Sequence, residues 1–294
     1  MTPTVLLLGH NGLIGRVLHS HLRSCGWNVI GASTRECNLL DEDRCKAFFR
    51  AVDEGCHVVM ASVINRWVED SYSAMSRNIA MMRNVCTWLT SRPPQSLVLM
   101  STVDVYGTSP NLPVTEDTRL IPSSYYALGK LACELLPSVM STRAFPMTTL
   151  RLPGVYGTAP DEPSIVARFM RTLASRGTVV IHGDGSILRD FVHVTDVCEV
   201  VRHVLESPQP GVFNIAKGES LTLLEIIDQL AAAVGESPRL EFDAHNSASA
   251  GSLSFDTGKL RQAFPALTFV SLKEGARRLS AQMTRHAEVH QERT

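Results

Sequence analysis

The chain has 294 residues, 44% of them hydrophobic and 19% charged, with a formal net charge of −1. That length suits one large domain or two closely joined lobes, and the composition supplies a sizeable core. No basic excess points to nucleic acid or to an anionic membrane surface, so neither is an expected partner.

The seven cysteines, Cys25, Cys37, Cys45, Cys56, Cys86, Cys133 and Cys198, form no CxxC pair. This argues against a disulfide framework or a metal site and for a reducing compartment. Val5-Leu6-Leu7-Leu8 is too short to span a membrane, and it lacks a basic leader and a cleavage site. A soluble cytoplasmic protein without a metal is expected.

In chain order, Val5-Leu8 is an expected buried strand. A helix over Leu13-Cys25 follows, with Val17, Leu18 and Leu22 on one face. Trp27-Ile30 is the second strand, and Asp41-Val52 is a helix turning Ala47, Phe48 and Val52 inward. Val58-Ala61 and Leu97-Met100 are the next two strands, separated by a helix from about Ser73 to Thr90. Met81-Met82 is expected on that helix's core face. Ser124-Met140 is helical, with Pro137 disturbing its last turn, and Thr148-Leu152 is a further strand. This alternation predicts an α/β fold, a doubly wound parallel sheet that binds ligands at the carboxyl ends of its strands.

After residue 152, loops rich in Pro and Gly interleave with helices near Ser164-Ser175, Val194-Leu205, Leu223-Val234 and Leu272-Ala281. A smaller α/β substrate-binding lobe is expected from about 153–189 and 216–290. Residues 1–152, joined by about 190–215, form the dinucleotide-binding domain. The polar stretch Ala287-Thr294 is expected to fray.

The first strand runs into Gly9-His10-Asn11-Gly12-Leu13-Ile14-Gly15, a GxxGxxG turn that opens a helix. Glycines there let the backbone touch a pyrophosphate, whose charge sits at the helix N-terminus. The second strand ends in Ala32-Ser33-Thr34-Arg35, with no acid placed to hold a ribose 2′-hydroxyl. Arg35 suits a 2′-phosphate, so NADP is favoured over NAD, although Glu36 is adjacent and Arg35 can equally be a solvated surface side chain.

Tyr126-Ala127-Leu128-Gly129-Lys130 is a YxxxK motif, which places both functional groups on one helix face. A nearby ammonium is expected to lower the phenol's pKa and fit it for proton transfer at a carbinol oxygen. The preceding strand ends in Ser101-Thr102-Val103-Asp104-Val105-Tyr106-Gly107. Thr102 is the favoured second hydrogen bonder, with Ser101 as the alternate.

These segments and their spacing resemble the extended short-chain dehydrogenase/reductases, the NAD-dependent epimerase/dehydratase family. Leu150-Arg151-Leu152-Pro153-Gly154-Val155-Tyr156-Gly157 resembles the family's "LRxxNVYG". His182-Gly183-Asp184-Gly185 followed by Arg189-Asp190-Phe191-Val192-His193-Val194-Thr195-Asp196 resembles "GdGxxxRDFvhVdD". Val212-Phe213-Asn214-Ile215-Ala216 and Asp256-Thr257-Gly258-Lys259-Leu260 continue the match. Within the group, Thr34-Arg35-Glu36-Cys37-Asn38-Leu39-Leu40-Asp41 is similar to a segment of GDP-fucose synthase-like nucleotide-sugar reductases, which use NADPH.

The resemblance implies Tyr126 as acid/base, Lys130 as its helper and Thr102 as second hydrogen bonder. It implies a cofactor site of Gly9, Asn11, Gly12, Leu13, Ile14, Gly15, Arg35, Asn38, Leu39, Ala61, Ser62, Asn78, Tyr126, Lys130 and Pro153. Val63, Asp104 and Arg189 fall at substrate positions, Arg189 where an arginine grips a phosphate. His193 is expected to be a packed structural histidine, and Tyr106 and Tyr156 to pack beside cofactor or substrate. A homodimer using the Ser124-Met140 helix is implied as well.

Some positions depart from the family pattern. Asp104 stands where epimerising reductases carry a cysteine, and no histidine occurs between Gly157 and Ile181. Gly154 replaces an asparagine, and Ser247-Ser252 lacks an arginine. The expected activity is reduction of the 4-keto group of a nucleotide-linked 6-deoxy sugar. The alternatives are an NAD-dependent nucleotide-sugar 4-epimerase and a ketoreductase acting on a non-nucleotide substrate.

Overall fold

The structure, a computed structural model, describes residues 2–140, 145–159, 161–243 and 251–291. Strands and helices alternate as β1 (Thr4–Leu8), α1 (Leu13–Ser24), β2 (Asn28–Ala32), α2 (Glu42–Arg50), β3 (His57–Met60), α3 (Tyr72–Ser91) and β4 (Ser96–Thr102). A 3-10 turn, Val103–Tyr106, precedes α4 (Tyr125–Met140), β5 (Met147–Leu152), β6 (Gly154–Tyr156), α5 (Ile165–Ala174) and β7 (Thr178–His182). Then come β8 (Leu188–Arg189), β9 (Phe191–His193), α6 (Val194–Glu206), β10 (Gly211–Asn214) and β11 (Leu221–Thr222). The last elements are α7 (Leu223–Val234), β12 (Arg239–Asp243), α8 (Gly258–Ala263) and α9 (Leu272–Gln291).

Six strands form one parallel sheet in the order β10-β5-β4-β3-β1-β2. The chain steps outward from β1 to β2 and returns to β3 on the other flank of β1. That reversal opens a crevice beyond the carboxyl ends of β1 and β3, where doubly wound sheets bind ligands. The strands are apolar on both faces because helices cover both. Val5, Leu7, Val59 and Val98 pack with α1 and α6, whereas Leu6, Leu8, Val58 and Leu97 pack with α2 and α3. A separate apolar cluster joins α5, α7, α9 and β7 through Phe169, Met170, Ile181, Ile227 and Leu279.

Several element expectations are corrected. Strand β2 begins and ends later than Trp27-Ile30, because pairing with β1 sets its register from Thr4↔Asn28 to Leu8↔Ala32. On α2, Ala47 is exposed, and Cys45 and Phe49 point inward along with Val52 just beyond. Their i, i+4, i+7 spacing is the true apolar stripe. Pro137 does not break α4, which continues to Met140 with Pro137 buried. The lost backbone donor is tolerated because α4 is packed along α3 and β4. Helix α9 extends into the polar stretch Ala287-Thr294 as far as Gln291. Residues 292–294 lie outside the described residues.

Candidate functional site

The glycine turn sits at the mouth of the crevice. Gly9 has φ +91° and donates its N–H to Ala32 O at 2.7 Å, while Gly12 N–H donates to Gly9 O at 3.0 Å. A Cβ on Gly9 would lie 2.8 Å from Ser62 N, and one on Gly15 would lie 2.1 Å from Gly9 O. Only bare backbone allows the turn, the start of α1 and the loop after β3 to approach this closely. Helix α1 opens at Gly12 with no side-chain cap and no acid in its first turn. Its free N–H groups and dipole therefore fit a pyrophosphate. Asn11 and Gly12 are exposed, Leu13 and Ile14 are partly buried, and Gly15 is buried.

At the end of β2, Glu36 folds back and accepts from Ser33 N at 2.9 Å and Ser33 Oγ at 2.5 Å. These hydrogen bonds hold its carboxyl below the usual range. Arg35 is exposed beside it. Asn38 is half-buried, its Oδ1 accepting from Leu40 N at 3.1 Å. Leu39, implied as a cofactor residue, buries its side chain in the α2–α3 core, and its carbonyl accepts from Asn84.

Ala61, Ser62 and Val63, all partly buried, leave β3 toward the crevice. Asn78 spans this loop from α3, with Oδ1 accepting from Ile64 N at 2.8 Å and Nδ2 donating to Ile64 O at 3.0 Å. Its amide shapes the loop beneath the cofactor position. Pro153 lies between β5 and β6, partly buried.

The candidate reactive groups that the sequence singles out come from β4 and α4. Thr102, buried at the end of β4, caps the following turn by accepting from Asp104 N at 3.2 Å, so its own proton remains to be donated. Ser101 is committed below the site, where it donates to Glu134 Oε1. This separates the two hydroxyls that the sequence left as alternates. Tyr126 stands in the first turn of α4, its backbone N–H donating to Asp70 Oδ1 at 2.8 Å. Lys130, one turn on, is buried and donates from Nζ to Met100 O.

The expected lowering of the Tyr126 pKa by Lys130 is corrected. Burial pushes the phenol up, the Asp104 carboxylate pushes it further, and Arg66 opposes both. The two side chains share a helix face, yet the ammonium is directed to the β4 backbone. Burial also pulls the Lys130 ammonium below its ordinary value, with Cys133 and Glu134 opposing.

Asp104 faces Arg66, with Oδ2 accepting from Nη1 at 2.5 Å. Arg189, on β8, donates from Nη1 to Leu188 O and Gly251 O, each at 2.8 Å. Burial draws its guanidinium down, and the Asp104 carboxylate opposes that shift.

Sequence reasoning missed Arg66, Asp70 and Glu134. Glu134 was legible, since it extends the Tyr126–Lys130 stripe by one more turn. Arg66 carried only a positional signal, a charge on the loop leaving a central strand at the switch point. Tyr106 and Tyr156 are corrected as neighbours of the ligand. The Tyr106 hydroxyl is held in the interior between Arg151 and Asn214, and Tyr156 is buried beside His193 and Gly275. Among the described residues, no group of three or more His, Cys, Asp or Glu is placed to hold a metal ion.

A glycine turn at the switch point of a doubly wound sheet, facing a Thr–Tyr–Lys cluster, defines a dinucleotide-dependent oxidoreductase architecture. The chain belongs to the NAD dependent epimerase/dehydratase family, whose sequence model matches residues 5–216. It is an NAD(P)-dependent enzyme of the extended short-chain dehydrogenase/reductase type.

A rice (Oryza sativa subsp. japonica) protein named "Putative GDP-L-fucose synthase 2" is 25% identical over 281 residues, covering 88% of this chain and 80% of its own. The UDP-glucose 4-epimerase of Thermus thermophilus, solved in complex with NAD, superposes with a TM-score of 0.81 at 24% identity, covering 96% of this chain and 99% of its own. The structure of RMD from Pseudomonas aeruginosa complexed with NADPH gives 0.82 at 20% identity, covering 97% and 99%.

Proposed function

We propose that the chain uses NADPH to reduce the 4-keto group of a nucleotide-linked 6-deoxy sugar. The observation that carries this reading is the setting of Tyr126. Its half-buried phenol sits near the Asp104 carboxylate and is held protonated. A phenol in that state serves as the acid that quenches a nascent alkoxide. The rice relative, matched over most of the chain, supports the same class of substrate.

For the cofactor, the end of β2 supports NADPH. Glu36 is tied to Ser33 and is a poor acceptor for a ribose 2′-hydroxyl, whereas exposed Arg35 can pair with a 2′-phosphate. Gly9, Asn11, Gly12, Leu13, Ile14 and Gly15 would hold the pyrophosphate. Asn38, Ala61, Ser62, Pro153 and Lys130 would line the rest of the site, with Asn78 behind. When bound, the nicotinamide supplies the hydride.

The chain's own residues do the remainder. Thr102 donates to the substrate oxygen, Tyr126 passes its proton to that oxygen, and Lys130 stands one helical turn on along the same face of α4. Val63, Asp104 and Arg189 face the sugar and its phosphates. Residues 1–152 with about 190–215 would serve the dinucleotide, and about 153–189 with 216–290 the substrate. A homodimer is supported by the apolar side chains that α4 leaves exposed, Tyr125, Leu128, Leu135 and Val139.

The test is to extract any bound dinucleotide, then titrate NADPH and NADH by fluorescence. NADPH is expected to bind more tightly, with Arg35→Ala reducing that preference about tenfold, the value of one charge-assisted contact. Tyr126→Phe should keep binding and lose about 10²- to 10⁴-fold in turnover. Co-purified NAD that neither exchanges nor is consumed would replace this reading with a 4-epimerase.

A further inference from the structure

Arg66 has no role in the reaction described above, and it forms an ion pair with the Asp104 carboxylate. It leaves β3 on the loop that Asn78 clamps at Ile64. Its Nη1 meets Asp104 Oδ2 at 2.5 Å, bridging the loop after β3 and the turn after β4. Both elements end at the crevice, and the turn carrying Asp104 packs on α4. Asp70, in the same loop, accepts from Tyr126 N at 2.8 Å. The loop therefore grips the start of the catalytic helix by its backbone and the neighbouring carboxylate by its guanidinium.

We propose that Arg66 is a positioning residue of the reaction: its ion pair with Asp104 fixes that carboxylate and balances its charge beside Tyr126. The inference rests on the reading of Tyr126 as the acid. The charges acting on the phenol are Asp104 on the turn after β4 and Arg66 on the loop after β3; Asp70 on that loop holds the Tyr126 backbone N–H, and Lys130 on α4 donates to Met100 O. Arg189 on β8 is within electrostatic reach of the same Asp104 carboxylate.

Of these, Asp104 raises the phenol's proton affinity and Arg66 lowers it, so the two act in opposite directions. With Asp104 unpaired, the phenol would hold its proton more tightly and release it less readily. Arg66 without Asp104 would loosen the phenol's hold on its proton against the burial that raises it. The pair keeps the phenol protonated yet able to give the proton up. Arg66 is about half exposed, with 49% of its side-chain surface accessible, so truncating it leaves no buried cavity.

The experiment follows the ¹³Cζ resonance of Tyr126 through a pH titration of NADP⁺-loaded protein, with Tyr126→Phe providing the assignment. Arg66→Ala should move the titration up and Asp104→Asn should move it down, each by about 1 unit or more. The double variant should return close to wild type, and Arg66→Lys, which keeps the charge, should track it. Turnover should lose its acid form at correspondingly shifted pH. A merely structural Arg66 would not produce opposite shifts that cancel.

No shift in either single variant, or shifts of the same sign, overturns the inference. Tyr126→Phe turnover tests the underlying reading separately. If that variant is inactive while Tyr126 ignores Arg66 and Asp104, the present inference alone fails.

Discussion

Burial sets the protonation of His193 more than any partner does. The ring is 3% exposed and meets Tyr156 edge-on at 5.2 Å, and Nδ1 lies 2.8 Å from Thr195 Oγ1 at the cap of α6. Its Nε2 has no partner, and a Cβ on Gly157 would come within 2.4 Å of that atom. Burial pulls the imidazole down to about 4, helped by Arg278 and opposed by Glu162 and Glu274. A depressed folded pKa contributes stability above the unfolded value of 6.5 and loses it as pH falls toward about 4.

Asp190 and Asp196 run the other way. Burial raises each to about 6, so the stability they contribute is present below 3.8 and lost as pH rises through about 6. The contribution of His193 is therefore read against a variant. Urea unfolding at pH 7 and pH 5 should show His193→Asn gaining about 2 kcal/mol on wild type at the lower pH. An equal pH response in the two proteins would show that His193 titrates normally. Its packed role was legible from the motif around it. The missing partner on Nε2 was not, because Gly157 and Tyr156 reach it from another strand.

At the scale of elements, α4 carries a stripe of Tyr126, Lys130 and Glu134, and its third member anchors the helix. Arg151 on β5 donates from Nη2 to Glu134 Oε2 at 2.8 Å, and both side chains are 5% exposed. Arg151 Nη1 reaches the Tyr106 hydroxyl at 2.8 Å, which donates to Asn214 Oδ1 at 2.7 Å. Ser101 joins the same carboxylate from β4. The network thus couples β4, β5, β10 and α4 directly below Thr102 and Lys130.

Removing one partner of a buried pair strands the other charge, so Arg151→Met should cost about 3–5 kcal/mol in urea unfolding. Replacing both, as Glu134→Leu with Arg151→Met, should recover much of that loss. A single-variant cost near zero would mean that water reaches the pair. Periodicity located α4, but it could not supply Arg151, whose approach depends on how β5 lies beside β4.

At the scale of the whole molecule, α4 leaves Tyr125, Leu128, Leu135 and Val139 exposed at 49%, 46%, 58% and 80%. Together with Tyr72 at the start of α3, that is more apolar surface on adjoining elements than scattered exposure would give. Light scattering should report twice the chain mass, and Leu135→Glu with Val139→Glu should halve it while leaving the melting temperature of the monomer measurable. A wild-type monomer at micromolar concentration would remove the homodimer from the proposal.

The sequence by itself determined the alternation of strands and helices, the glycine turn and the placing of Thr102 at the end of β4 and of Tyr126 and Lys130 on one face of α4. Those features are written in local periodicity and in residues whose backbone demands are strict. The tertiary structure alone decided the register of β2, the continuity of α4 through Pro137, the burial of Leu39 and the direction of the Lys130 ammonium. It also decided the pairing of Arg66 with Asp104. Each of these depends on which distant segment occupies the space beside a side chain. Burial and long-range charge, which set where protons reside in this site, arise only once the sheet has brought its strand ends together.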